Sequence, residues 1–136
     1  MKEIALLDPS KETDNKLRWI ACDDSGVLFK LYIPKGRVPT PWPVRILVRI
    51  DDDPASLRSI PPQQPPKPPN HRDLRKPIIA LVKRTPEKHT ETVQYQPLGK
   101  PRFWELGEPY IPFSMLAEPP PERLRIDVEW DFDSGS

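Results

Sequence analysis

Residues 122–132 read Glu-Arg-Leu-Arg-Ile-Asp-Val-Glu-Trp-Asp-Phe, and every second residue from Leu124 to Phe132 is apolar. The residues between them are charged. Successive side chains of a β-strand point to opposite faces, so this period of two predicts a strand with one buried and one solvated face. Residues 44–51, Val-Arg-Ile-Leu-Val-Arg-Ile-Asp, largely repeat the pattern. These two stretches predict a core built from β-sheet.

Six further segments are short, rich in β-branched or aromatic residues, and bounded by turn signals, which is typical of strands. Together the predicted strands are residues 3–7, 17–22, 27–33, 44–51, 77–84, 90–96, 102–106 and 122–132. A turn or the start of a helical turn is predicted after the first of them, at residues 8–10. The pattern predicts an all-β fold: a single domain over residues 1–136, either a β-sandwich or a small β-barrel of about eight short antiparallel strands.

The chain contains 21 prolines, and they set the rest of the architecture. Because proline lacks an N–H and has a fixed φ, little helix is expected. One proline-rich loop is predicted at residues 54–76, beginning with a short helical turn that Asp53 can cap. It contains Ile-Pro-Pro-Gln-Gln-Pro-Pro-Lys-Pro-Pro at residues 60–69, a stretch expected to be extended polyproline II. A second, apolar proline-rich loop is predicted at residues 107–121, lying over the core.

The net charge of +1 gives no overall field that would attract nucleic acid or a membrane. Charge is nevertheless divided along the chain. Residues 72–102 carry eight basic and three acidic side chains, whereas residues 103–136 carry two basic and eight acidic ones. Opposite charges stabilise neighbouring strands, so we expect these two segments to lie side by side.

Cys22 is the one cysteine, so no disulfide can form within the chain and a reducing compartment is favoured. Its apolar neighbours predict a small core residue. The longest wholly apolar run, residues 77–82, is too short to span a membrane. The first nine residues are interrupted too early for a signal peptide. A cytoplasmic protein without membrane association is therefore expected.

Motifs for catalysis or metal binding are missing from the sequence. It has no glycine-rich phosphate loop, no paired-cysteine metal site and no His-Glu-x-x-His pattern. The two histidines, His71 and His89, lie in polar, basic surroundings. Three consecutive aspartates at residues 51–53 fit a strand end and a helix cap better than a cation site. The sequence therefore predicts no enzyme activity, no cofactor and no metal.

Three features favour binding to another protein. Residues 62–67 match P-x-x-P-x-K, a form read by aromatic grooves, although a stiff spacer explains the same residues. Trp42 lies between two prolines, which either present it as a binding anchor or direct it into one end of the core. Tyr110 and Phe113 in the second loop have the same two interpretations. The predicted partner-binding residues are Trp42, Pro62, Pro65, Lys67, Tyr110 and Phe113.

The leading hypothesis is a non-enzymatic interaction or assembly domain that binds a partner protein through its proline-rich loops. The alternative is a nucleic-acid-binding β-barrel that uses the basic stretch at residues 72–88, although aromatic residues for base stacking are scarce there. The residues predicted for that alternative are Arg72, Arg75, Lys76, Lys83 and Arg84. A third possibility is a homo-oligomer formed through an uncovered edge strand.

Overall fold

A computed structural model of the chain describes residues 2–39, 41–58, 77–86, 91–99 and 105–130, with the backbone alone for Lys2 and Glu3. Its strands are β1 (Lys2–Glu12), β2 (Lys16–Cys22), β3 (Leu28–Pro34), β4 (Ile46–Asp51), β5 (Ile78–Arg84), β6 (Thr92–Pro97), β7 (Tyr110–Pro112) and β8 (Arg123–Glu129). One short α-helix, α1 (Pro54–Arg58), and 3₁₀ turns at Lys35–Arg37 and Phe113–Met115 complete the described elements. The prediction of an all-β fold with little helix is confirmed.

The eight strands close into a barrel in the order β1-β2-β3-β7-β6-β5-β8-β4. All neighbouring strands are antiparallel. Of the two predicted architectures, the small barrel is therefore the correct one. Because the barrel is closed, each described strand is paired with a neighbour on both sides over at least part of its length. The described residues therefore contain no strand with one side entirely unpaired. The uncovered edge strand that was considered for self-association is not found in this part of the chain.

The core fills the inside of the barrel. In β3 the side chains of Phe29, Leu31 and Ile33 are buried, and the residues between them face outward. β4 and β8 bury every second residue in the same way. Trp19 and Trp130 pack within this core with their ring centroids 6.3 Å apart. The period of two in the sequence is therefore the inside–outside alternation of the barrel wall.

The first strand is longer than predicted. The turn expected at residues 8–10 is wrong, because β1 runs through them to Glu12. The first half of β1 pairs with β4, and the second half, from Asp8, pairs with β2. The register shifts between Pro9 and Lys11, which marks a β-bulge, and bulges bend a strand locally. The residues that resemble a turn are the point where β1 changes its partner.

The seventh strand, β7, lies in a segment that was predicted to be a loop. β7 falls within the proline-rich loop predicted at residues 107–121, and it joins β3 to β6. Of the strand predicted at residues 102–106, the last two residues form a bend and the others lie outside the described residues. Gly107 leads into β7, and its N–H donates to the carbonyl of Tyr32 at 2.6 Å. A Cβ at Gly107 would lie only 2.8 Å from the Cβ of Tyr32, so this close approach requires glycine.

The β2–β3 hairpin forms as predicted. The Asp23 carboxylate accepts two backbone N–H groups of the turn, at 2.8 and 2.9 Å. Gly26 has a φ of +85°, which glycine adopts without strain. Cys22 is exposed, so the prediction of a core cysteine is wrong. Leu17 and Trp19 occupy inward positions of β2, and the alternation directs Cys22 outward.

The basic and acidic segments of the chain do lie side by side. β5 pairs with β8 along its length. Arg84 Nη2 lies 3.3 Å from Glu122 Oε2 between these two segments. On the other side of β8, Arg49 of β4, which is not part of the basic segment, forms an ion pair with Glu129. Exposed pairs of this kind contribute little to stability, with a median of about 0–1 kcal/mol. Their effect is to cancel charge on the outer face of the barrel.

Tyr95 makes stability depend on alkaline pH. Its ring is buried, its hydroxyl donates to the carbonyl of Pro121 at 2.6 Å, and burial raises its pKa from 10.0 to about 12. The folded state therefore favours the protonated phenol. The contribution of Tyr95 to the free energy of unfolding is fully present below pH 10, where the phenol is also protonated in the unfolded chain. It declines above pH 10 and is lost as the pH rises through about 12. Between pH 9 and pH 11.5 we expect a loss of about 2 kcal/mol from this residue.

Urea unfolding at the two pH values measures this loss, and Tyr95→Phe is the control. The variant has no phenol to ionise at this position, so its free energy of unfolding should fall by about 2 kcal/mol less over the same interval. An equal fall in both proteins would contradict the assignment.

Candidate functional site

Trp42 lies on the connection between the Lys35–Arg37 turn and β4 and is the aromatic residue of that segment. Its side chain is 43% exposed. Pro41 and Pro43 flank it and restrict the backbone on both sides. The Lys35 Nζ lies 5.8 Å from the centroid of its ring, within the range of a cation–π contact. Trp42 is therefore partly exposed and is not enclosed in the core.

A groove lies beside Trp42, with a volume of about 350 Å³. It runs between the second half of β1 and the Trp42-Pro43 segment. The ladder between β1 and β4 ends at the pair Leu7–Ile46. Just beyond it Arg45 Nε lies 2.9 Å from Asp8 Oδ1, and the groove lining begins at the next residue, Pro9. We call this the Trp42 groove, and its lining residues are Pro9, Ser10, Lys11, Glu12, Leu17, Arg18, Trp19, Trp42 and Pro43.

The charges around the Trp42 groove are predominantly positive. Glu12 is neutralised by Lys35, whose Nζ lies 2.6 Å from Glu12 Oε2. Arg18 instead donates from Nε to the neutral Ser10 hydroxyl at 2.8 Å. Neither Arg18 nor Lys11 forms an ion pair with a carboxylate among the described residues. Both cations are therefore available at this surface.

Trp19 belongs to both the core and the groove. Its side chain is buried, yet it contributes to the groove lining. Its indole N–H is buried and has no hydrogen-bond partner within the part of the chain that the structure describes. A buried donor without an acceptor costs free energy, and most such groups in proteins are paired.

Phe113 lies away from Trp42, at the other end of the β2–β3 hairpin. It is 45% exposed, and the adjacent Ser114 hydroxyl donates to Asp23 Oδ2 at 2.7 Å. That hydrogen bond is the main reason why the pKa of Asp23 is lowered. Asp23 is six residues along the chain from Leu17, which lines the Trp42 groove, and six residues of strand span about 20 Å. The structure therefore does not join Trp42 and Phe113 in one apolar patch.

Tyr110 also lies away from the Trp42 groove. It is opposite Lys30 in the β3–β7 pair, and both line a cavity of about 870 Å³ with Tyr32. The rest of the 107–121 loop packs partly on the core through Met115 and Leu116. The loop therefore contains a short strand, residues that pack on the core and residues that are exposed. Both possibilities considered from the sequence, packing on the core and exposure at the surface, occur in different residues of it.

The residues predicted for nucleic-acid binding are only partly described. Lys83 and Arg84 are exposed at the end of β5. Arg84 donates to the carbonyl of Pro120 at 3.1 Å and pairs with Glu122, so its guanidinium already has acceptors. The remaining residues of that prediction lie outside the described residues: Arg72, Arg75 and Lys76. The same holds for three predicted partner-binding residues: Pro62, Pro65 and Lys67.

The aspartate run at residues 51–53 has a structural role. The Asp53 carboxylate accepts the N–H of Ala55 at 3.0 Å and so caps α1, as predicted. The Asp51 carboxylate accepts the N–H of Asp53 at 2.9 Å. Among the described residues, no group of three or more histidine, cysteine or acidic side chains is placed to hold a metal ion.

The sequence did not identify the groove residues other than Trp42. The sequence predicts a turn at Pro9 and a strand at Arg18, and nothing in the local pattern of either residue, or of Lys11, brings it to Trp42. They reach the groove because β1 changes its pairing partner at a β-bulge. A bulge does not alter the periodicity of the sequence in a recognisable way, so the pattern gives no signal for these residues.

No helix in the described ranges is both long enough and apolar enough to cross a membrane. Comparison with models of known protein families gives no match, and a search of curated protein sequences finds no significant relative.

Proposed function

We propose that this barrel is a non-enzymatic interaction domain that binds another protein, with the Trp42 groove as its binding site. The observation that carries this proposal is the combination of a partly exposed tryptophan, held between two prolines, with an adjoining groove of about 350 Å³. Ligand-binding pockets in proteins typically have volumes of about 300–1,000 Å³, so this groove lies at the lower end of that range. Tryptophan is strongly enriched among the residues that dominate binding energy at protein interfaces.

The rigid setting of Trp42 supports its role as the anchor. A side chain held by flanking prolines and by Lys35 loses little freedom when a partner covers it. Trp42 also adjoins Leu17 and Pro9, so a partner side chain placed there would be surrounded by apolar groups.

Replacing Trp42 with alanine should abolish partner capture while leaving the fold intact. Loss of an anchoring tryptophan typically lowers affinity by at least roughly thirtyfold. The test uses the wild-type protein as bait in a lysate of its native host, with nuclease-treated and untreated samples side by side, and quantifies captured proteins by mass spectrometry. Trp42→Ala is run beside Phe113→Ala, because Phe113 is about equally exposed but lies at the other end of the hairpin.

Proteins captured by the wild type and by Phe113→Ala, but lost with Trp42→Ala, would support the proposal. Capture that survives in Trp42→Ala would contradict it, and specific loss in Phe113→Ala would transfer the site to the Tyr110–Phe113 surface. Capture that disappears on nuclease treatment would instead favour the nucleic-acid alternative.

A further inference from the structure

We propose that the Trp42 groove binds an extended, acidic peptide segment, which adds a short strand to the half of β1 that has no partner on the groove side. This inference rests on the proposed function, since it names the chemistry of the partner at the same site. Three observations carry it: the open half-edge of β1, the apolar lining beside Trp42, and the unneutralised cations at the rim.

The open half-edge comes from the way β1 divides its pairing. Residues 2–7 pair with β4, and residues 8–12 pair with β2 on the opposite side. The described residues show no strand beside residues 9–12 on their β4 side, where the groove lies. Unpaired backbone groups along a strand edge are a template for a peptide in extended conformation. The groove therefore lies beside a strand edge with which an extended peptide can pair through its main chain, although Pro9 has no N–H to donate.

The apolar lining selects one side chain of such a peptide. Successive residues of an added strand point alternately into and away from the surface. Trp42, Pro43 and Leu17 surround the space that an inward side chain would occupy. The volume of about 350 Å³ suits a short contact of a few residues rather than a long groove. We expect a proline or an aliphatic side chain at this inward position, because the groups around it are largely apolar.

The rim charges determine the sign of the neighbouring side chains. Lys11, Arg18 and Lys35 contribute three positive charges, and Glu12 contributes one negative charge, so the local balance is +2. Because Lys35 and Glu12 neutralise each other, the charges that a ligand meets are those of Lys11 and Arg18. Electrostatic complementarity then favours aspartate or glutamate at the outward positions of the bound peptide and disfavours lysine and arginine.

The test is a selection of random twelve-residue peptides displayed on phage, with the full chain immobilised. Recovered peptides are synthesised and their affinities measured by fluorescence anisotropy. We expect acidic residues flanking a proline or an aliphatic residue, and we expect the peptides to lose binding to Trp42→Ala. Lys11→Glu and Arg18→Glu should each weaken binding by roughly three- to tenfold, and added salt should weaken it further.

Arg123→Glu is the matched control, because it makes the same change of charge at an exposed position on β8. It should leave the peptide affinity nearly unchanged. Methylating alternate backbone nitrogens of the peptide tests strand addition: one of the two alternating sets should weaken binding by roughly tenfold, and the other should not. Equal tolerance of both sets would overturn the strand geometry.

The remaining outcomes separate the two proposals. Trp42-dependent peptides that are neutral or basic would overturn this inference while the proposed function stands. Failure to recover any Trp42-dependent peptide, together with capture from lysate that does not depend on Trp42, would overturn both. Tighter binding of a fluorescent oligothymidine than of every selected peptide, sensitive to Lys11→Glu, would assign the groove to single-stranded nucleic acid instead.

Discussion

Replacing Phe29 with alanine should lower the free energy of unfolding by about 3–5 kcal/mol. Phe29 is 1% exposed and is among the largest fully buried side chains. Its removal leaves a cavity that the surrounding barrel wall, tied by hydrogen bonds on both sides, can collapse into only partly. Because single domains are typically stable by about 5–15 kcal/mol, this one change should remove a large part of the total.

Phe113→Ala makes the same chemical change at a position that is 45% exposed, and it is the control. Its effect should stay within about 0.5 kcal/mol, as for most surface substitutions. Urea unfolding followed by tryptophan fluorescence measures both variants. Similar losses in the two would mean that Phe113 packs against the core, contrary to its observed exposure.

Replacing Glu105 with alanine should cost about 3 kcal/mol, although Glu105 itself is only partly buried. Its Oε2 accepts from Arg37 Nε at 2.6 Å, and the Arg37 side chain is buried. Arg37 Nη2 also donates to the carbonyl of Pro77 at 3.3 Å. Removing the carboxylate takes a charged acceptor away from a buried guanidinium, and weakening the compensation of a buried charge is destabilising.

Two comparisons distinguish this mechanism from a general loss of contacts. The pair Lys35–Glu12 has the same 2.6 Å separation but lies at the surface, so Glu12→Ala should cost less than about 1 kcal/mol. The double variant Arg37→Met with Glu105→Leu removes both charges and should be more stable than Glu105→Ala alone. Equal stability of the single and double variants in urea unfolding would contradict the buried-charge account.

Much of the barrel was predictable because its wall obeys a local rule. In β3, β4 and β8 each residue's burial follows from the period of two, so the sequence pattern identified both the strands and their inward faces. The hairpin at Asp23 and the cap at Asp53 were predictable for the same reason, since each depends on a few adjacent residues.

The parts that the sequence did not reveal depend on distant residues. β7 is three residues long and is a strand only because β3 and β6 lie on either side of it. β1 continues through Pro9 because β2 offers it a second partner. The candidate site has the same character: the tryptophan was identified from its flanking prolines, whereas Lys11 and Arg18 join it only through the pairing of the strands.

The strand order also determines when this chain can fold during its synthesis. β8 lies between β4 and β5 in the barrel, although it is made last of the three. Until its residues leave the ribosome, β4 and β5 each lack a neighbour, and the inward faces of both remain uncovered. Pairings this distant in sequence form slowly, and incomplete sheets with open edges tend to aggregate. We therefore expect the barrel to close only after β8 has been synthesised, and we expect shorter nascent chains to be prone to aggregation.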